Sequence, residues 1–355
     1  MLGYEKINNF FLVGDIAHVA WHGSGDWALL VGSDGSLAQY DPMTAAILTL
    51  PSLDGTPRDV GESPTSDSIV ITGLSNGSAA LWRVDEDELG QATVINWDLA
   101  LIGDEATCAV PEPGSDVWAI CTRTQNAGAY INRLYRVSYE AGILDSKAYS
   151  SGAGISDAMW TQTAYPGSNA LVTTEGYNGS GSQSWVLVSD TVIGNGWSPG
   201  FGNAGRAQWR PNGSYGVVVG TSTNSVYVFD GAWQSTKTPA PNNGASGNAI
   251  AWRSDGTRAL VVARPTGLPL QGSVFEHRPI NKSQYDSEAW TNVSISGFDE
   301  APYNGSFNTH LLDVSWRPGS ACDEGIIVGA DNGTTFNPTF GLVIRFYDED
   351  DPDCL

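Results

Sequence analysis

The sequence predicts an all-β fold built from one repeated hairpin unit, and three observations carry that prediction. The first is a recurring text. Ala17-His18-Val19-Ala20-Trp21 leads through a turn to Ala28-Leu29-Leu30-Val31-Gly32, and residues 205–220 and 248–263 follow the same pattern position for position. The second is turn chemistry, since every copy places Gly, Pro, Asn or Asp between the aromatic residue and the next run, where a tight hairpin needs unusual backbone angles. The third is the continuous apolar run itself, which marks a strand buried on both faces.

Taken in chain order, the unit recurs around anchors at positions 21, 61, 110, 160, 209, 252 and 316. The copies at Trp209, Trp252 and Trp316 are the clearest, and those around Gly61, Val110 and Trp160 keep only the grammar. A third run follows each pair: Leu37–Asp41, Ala80–Val84, Leu134–Val137, Ser184–Val188, Val226–Asp230, Ser273–Glu276 and Leu342–Asp348. Six units then carry a weaker fourth segment, such as Ala45–Leu50, and the seventh has none. The segment 4–13 precedes the first unit and has no sheet of its own, so it is expected to supply the missing strand and close a ring.

Four-stranded antiparallel sheets set radially bury both faces of each against its neighbours and leave only short edges, which is the architecture of a β-propeller. The expectation is one seven-bladed domain over residues 1–355, its ring closed by the N-terminal strand, with an acidic tail at 349–355. Over essentially its full length the chain resembles the WD40-like propeller superfamily. The residues that carry the resemblance are the Trp-Arg-Pro-Asn-Gly and Trp-Arg-Ser-Asp-Gly turns at 209–213 and 252–256. The aromatic-Asp strand ends Tyr40-Asp41, Phe229-Asp230 and Tyr347-Asp348 add to it. No Gly-His dipeptide precedes a first strand and no strand of the repeat ends in Trp-Asp, so the family's buried His-Asp network is not carried over. The resemblance implies a binding or scaffolding role.

Composition excludes several partners. With 39 acidic against 17 basic residues the net charge is −22, which repels phosphate backbones and argues against nucleic acid. No apolar run approaches the roughly 18 residues that a membrane-spanning helix needs. Four cysteines allow two pairings. Cys108 and Cys121 flank a strand, a Pro/Gly turn and a returning strand, while Cys322 and Cys354 together would pin the tail. An even count with plausible pairs suggests an oxidising compartment, hence an extracellular, periplasmic or cell-surface location, with the cytoplasm as the alternative.

Catalytic signals are sparse. The four histidines, His18, His22, His277 and His310, lack metal-helix spacing, no Cys-x-x-Cys pair occurs, and neither a nucleophile elbow nor a phosphate loop is present. No cofactor or metal is expected. His18, on a first strand, reads as a satisfied core residue.

Loop length gives the strongest functional expectation. The connections at 123–131, 175–183, 264–272, 297–310 and 330–340 are extended, and a propeller gathers them on one face. They carry Arg123, Tyr130, Tyr177, Arg264, Tyr303, Phe307, Phe336 and Phe340, and Arg with aromatics on a rigid face makes a recognition surface. The sequence therefore reads as a monomeric, non-enzymatic module that binds a protein or a surface polymer. A lectin would show near-identical pockets between blades, against which the unequal loops argue. A propeller hydrolase or lyase would show convergent carboxylates or histidine at the channel mouth.

Overall fold

The computed structural model of the chain describes residues 2–7, 15–63, 67–87, 90–151, 153–161, 169–176, 186–188, 204–211, 215–220, 226–229, 246–264, 273–279, 290–293, 308–320, 323–332 and 340–348. Its first strand is β1 (Leu2–Lys6). The first sheet follows as β2 (Ile16–Trp21), β3 (Ala28–Gly32), β4 (Leu37–Asp41) and β5 (Ala46–Leu50). The second is β6 (Thr56–Ser63), β7 (Ser68–Ser75), β8 (Ser78–Glu86) and β9 (Ala92–Asn96). The third is β10 (Glu105–Pro111), β11 (Val117–Asn126), β12 (Ala129–Ser138) and β13 (Gly142–Ser151).

Two sheets have three described strands each: β14 (Ala153–Thr161), β15 (Asn169–Gly176) and β16 (Val186–Val188), then β17 (Ala204–Trp209), β18 (Gly216–Gly220) and β19 (Val226–Phe229). The expected fourth segments of these two units lie outside the described residues. Next come β20 (Ser246–Trp252), β21 (Ala259–Arg264), β22 (Ser273–His277) and β23 (Trp290–Val293). The last group is β24 (Asn308–Trp316), β25 (Gly325–Asn332) and β26 (Phe340–Asp348). Its fourth strand is β1, which pairs antiparallel with β26 from Leu2 opposite Asp348 to Lys6 opposite Ile344. The closing strand thus sits where the sequence placed it, but it begins two residues earlier than segment 4–13, and residues 8–13 lie outside the described set.

Every strand pair is antiparallel, and the first strands touch in succession from β2 through β6, β10, β14, β17, β20 and β24 back to β2. This is an all-β propeller with four-stranded antiparallel blades. Its core is divided among the interfaces between blades. Along β3, Leu29 and Val31 face the second blade, while Ala28 and Leu30 face the last blade. Along β21, Val261 packs toward the blade before it and Leu260 and Val262 toward the blade after it. Continuous apolar runs follow from this, because alternate side chains of one strand serve two different apolar layers.

Trp residues that end first strands, and the Arg that follows two of them, latch neighbouring blades together. Indole Nε1 of Trp21 donates to the Ser315 carbonyl at 3.3 Å, Trp160 to Val110 at 3.1 Å and Trp316 to Ala251 at 3.0 Å, in each case a first strand of the preceding blade. The Arg that follows the Trp reaches the other way. Arg210 Nε donates to the Gly256 carbonyl at 2.7 Å and its guanidinium lies 5.7 Å from the Trp252 ring centre. Arg317 repeats this with Gly25 at 2.7 Å and Trp21 at 5.7 Å. Gly256 must lack a side chain for the latch to close, since its φ is +70° and a Cβ there would sit 2.2 Å from the Pro211 carbonyl oxygen. Gly256→Ala is therefore expected to cost about 2–3 kcal/mol, strain and clash together. Gly114→Ala, with φ +75° but open space around it, should cost about 1 kcal/mol. Thermal unfolding of the two variants checks the difference.

Cys108 on β10 and Cys121 on β11 are register partners and form a disulfide. Both are fully buried. Cys322 and Cys354 lie outside the described residues. Alkylation in denaturant without reductant should leave Cys108 and Cys121 unlabelled, as peptide mass mapping would read; labelling of either would mean that the bond is absent.

Candidate functional site

Each first strand carries a β-bulge at one and the same level: between Ile16 and His18, Pro57 and Asp59, Ala106 and Cys108, Ile155 and Asp157, Ala204 and Ala207, Gly247 and Ala249, and Leu311 and Asp313. A bulge re-aims the side chain beside it. Register places the structural anchors of the second and third units at Glu62, opposite Ile69, and Pro111, opposite Trp118, one residue beyond the positions read from the sequence.

At this level the axis holds a cluster of charge. Asp59 Oδ1 accepts from the Val60 N–H at 2.7 Å and Oδ2 from the Ala109 N–H of the next blade at 3.0 Å. Asp157 does the same with Ala158 at 2.8 Å and Ala207 at 2.7 Å, and Asp313 with Val314 at 2.9 Å and Val19 at 3.1 Å. Each carboxylate thereby stitches its blade to the following one. Arg206 extends across the axis to pair with Asp59, lies 3.4 Å from Asp313 Oδ2 and meets His18 Nδ1 at 3.0 Å.

The electrostatics follow from burial and from the single cation. Burial works against the Arg206 charge, but Asp59, Asp313 and Asp157 outweigh it and hold the guanidinium protonated. Burial also raises Asp313, yet Arg206 and His18 leave it below the ordinary carboxylate value. Asp157 is pushed up to about 7, by burial first and by the Asp59 charge second. Glu62, at the Trp position of the second unit, is likewise pushed up to about 7 by burial. Its Oε2 accepts from the Trp21 N–H at 2.6 Å and the Ser315 hydroxyl at 3.0 Å, which ties together three blades.

Between this cluster and the hairpin turns that join first and second strands lies a cavity of about 370 Å³. Trp160, Trp209, Trp252 and Trp316 wall it, Arg206, Asp157 and Asp313 form its floor, and Pro113, Pro211 and Pro318 rim its mouth. Among the described residues, no group of three or more His, Cys, Asp or Glu is arranged to hold a metal ion. No helix among them is long and apolar enough to cross a membrane.

The opposite face is where the sequence placed its binding residues. The connection expected between Arg123 and Ile131 is not a loop: β11 runs on to Asn126 and β12 starts at Ala129, with Ala127 and Gly128 both at positive φ forming a two-residue hairpin turn. Arg123 Nε donates to Glu105 Oε1 at 2.5 Å, and its guanidinium lies 5.6 Å from the centre of the Tyr130 ring. Those two residues are brought together. Arg264 ends β21 opposite Ser246, and Phe340 opens β26 opposite Asp331; of both, only the backbone is described. Tyr177, Tyr303, Phe307 and Phe336 lie outside the described residues.

Sequence reasoning missed the axial cluster. His18, Asp59, Cys108, Asp157, Arg206, Ala249 and Asp313 occupy one column three residues before the structural anchors. That column is mostly polar within an otherwise apolar strand, a signal visible only once the second and third units are shifted into register.

No family model matches the chain, and no curated protein matches it by sequence. Among solved structures, a crystal structure of the WD40 repeats of RRP9 is similar, with a TM-score of 0.60 at 7% identity over 98% of each chain. The chain has the WD40-like propeller fold.

Proposed function

We propose that the chain is a single-domain, monomeric, seven-bladed propeller over residues 1–355 that serves as a binding or assembly module. Its partner is a protein or a surface polymer, held on the face opposite the axial cavity. The observation that carries this reading is the third blade. Matched at Ala28 and Trp118, β3 ends at Gly32 whereas β11 continues four residues further, to Asn126, which is about 13 Å more strand at about 3.3 Å per residue. A rigid hairpin that overhangs the face and holds Arg123 against Tyr130 at its root is a docking arm, since an aromatic and an Arg fixed in place bury area at low entropy cost.

Wider features support the reading. The fold is one used for protein interaction, the charge of −22 disfavours nucleic acid, and the buried Cys108–Cys121 bond fits an oxidising compartment outside the cytoplasm. The hydrolase alternative calls for convergent carboxylates, and Asp59, Asp157 and Asp313 do converge. Each gives both oxygens to main-chain N–H groups of two blades, which supports a structural role as ties between blades.

Shortening the arm tests the reading. Residues 124–131 are replaced by an Asn-Gly turn joining Arg123 to Asn132, and partner recovery from the native source is compared with wild type. Recovery should fall about tenfold while thermal stability is preserved. Equal recovery would remove this face from the site.

A further inference from the structure

We infer that the axial cavity at the hairpin-turn face is a receptor for a basic side chain in peptide linkage, an arginine or lysine of a protein whose backbone crosses the proline-rimmed mouth. This is a second site, on the opposite face from the docking arm, and it stands or falls separately.

Charge balance is the first support. Glu112 at the wall is matched by Arg136, and Arg317 by Glu324. What remains along the lining is Glu62, Asp157 and Asp313 against one guanidinium, Arg206, already committed to Asp59 and Asp313. Among the described lining residues carboxyls outnumber cations, and neither Arg206 nor Arg317 is spare for an anionic ligand. Glu62 adds a specific acceptor: its Oε2 is used by Trp21 and Ser315, and its Oε1 takes no hydrogen bond among the described residues. Burial has pushed Glu62 and Asp157 toward the neutral form, and a cation placed beside them would restore their ionisation.

Shape and the remaining polar group specify the rest. A volume of about 370 Å³ matches a small-ligand pocket, and indole walls suit a guanidinium or ammonium with its alkyl stem. Trp252 is 4% exposed, yet its Nε1 has no hydrogen-bond partner, unlike Trp21, Trp160 and Trp316. Trp252 lines the same cavity as Glu62 and Asp157, so a basic side chain entering it meets an indole surface and carboxyls in want of a cation together. The overall charge of −22 would draw such a partner in.

The test titrates the full chain with three acetylated and amidated tripeptides, Gly-Arg-Gly, Gly-Lys-Gly and Gly-Glu-Gly, followed by calorimetry. Saturable binding of the Arg or the Lys peptide, with none of the Glu peptide, is the expected result. Glu62→Gln keeps an oxygen for Trp21 and Ser315 and should weaken binding about tenfold or more. Ser254→Trp, at an exposed position on the rim, should block the mouth without touching the core. Ile102→Ala, at an exposed position in the β9–β10 connection on the other face, should change nothing. Absence of saturable binding, equal binding of the Glu peptide, or indifference to both Glu62→Gln and Ser254→Trp would overturn the assignment.

Discussion

Replacing Arg206 with methionine is expected to destabilise the fold by about 3–5 kcal/mol at pH 8, the usual cost of removing one partner from a buried ion cluster. Among the described residues the guanidinium is the one cation set between Asp59, Asp157 and Asp313, and it spans from the fifth sheet to strands of the first, second and last. Methionine keeps the stem but strands the carboxylates. Two further results separate this cause from lost packing. Asp59→Asn in the same background should recover part of the loss, because one uncompensated charge is gone. The penalty should also shrink toward pH 5, where the stranded carboxyls take up protons. Urea midpoints at both pH values measure it, and a loss under about 1 kcal/mol that ignores pH would show the cluster to be inert.

The second large effect is the pH dependence of stability in the wild type. Glu62 and Asp157 are raised to about 7 from 4.5 and 3.8, so the native state holds these protons to a higher pH than the unfolded chain does. Their contribution is complete below about pH 4. It is lost as pH rises toward 7, at about 1.4 kcal/mol per pH unit for each group while the native state is protonated and the unfolded chain is not. Asp313, Asp34, Asp41 and Asp255 are lowered, and their contribution has the opposite sign, present at neutral pH and lost on acidification. Stability should accordingly peak in acid, at about pH 4, and decline toward pH 7, with Asp323, also raised by burial, adding to the decline. Glu62→Gln should flatten the decline by up to one proton. An unchanged slope in that variant would mean that Glu62 is ionised in the native state throughout.

What could be read in advance and what could not divides along the range of the interactions. Strands such as Leu37–Asp41 were legible because burial on both faces writes a local apolar run, and the Cys108–Cys121 pair because a hairpin makes equidistant residues partners. The Trp-Arg-Pro-Asn-Gly text was legible as a turn, but not as a latch, since its Arg acts on a glycine one blade away. Arg123–Ile131 was misjudged as a loop because Ala127 and Gly128 complete a tight turn that leaves Thr124 and Gln125 free to pair with Ile131 and Tyr130. The axial site was illegible for a different reason. Asp59, Asp157, Arg206 and Asp313 are each unremarked in their own repeat and become a site only when ring geometry brings four repeats to one axis.

The pairing of β1 with β26 bears on the order of events during synthesis. Residues 2–6 leave the ribosome long before the strand they must join, Phe340–Asp348, which is made some 340 residues later. At about 5–20 residues per second the wait is roughly 20–70 s, long against hairpin formation in microseconds. The intervening sheets can each zip locally while the first strand stays without its mate. Ring closure is then the last step, and until it happens the nascent chain presents an unpaired edge at each end, the interval in which a chaperone would have most to shield.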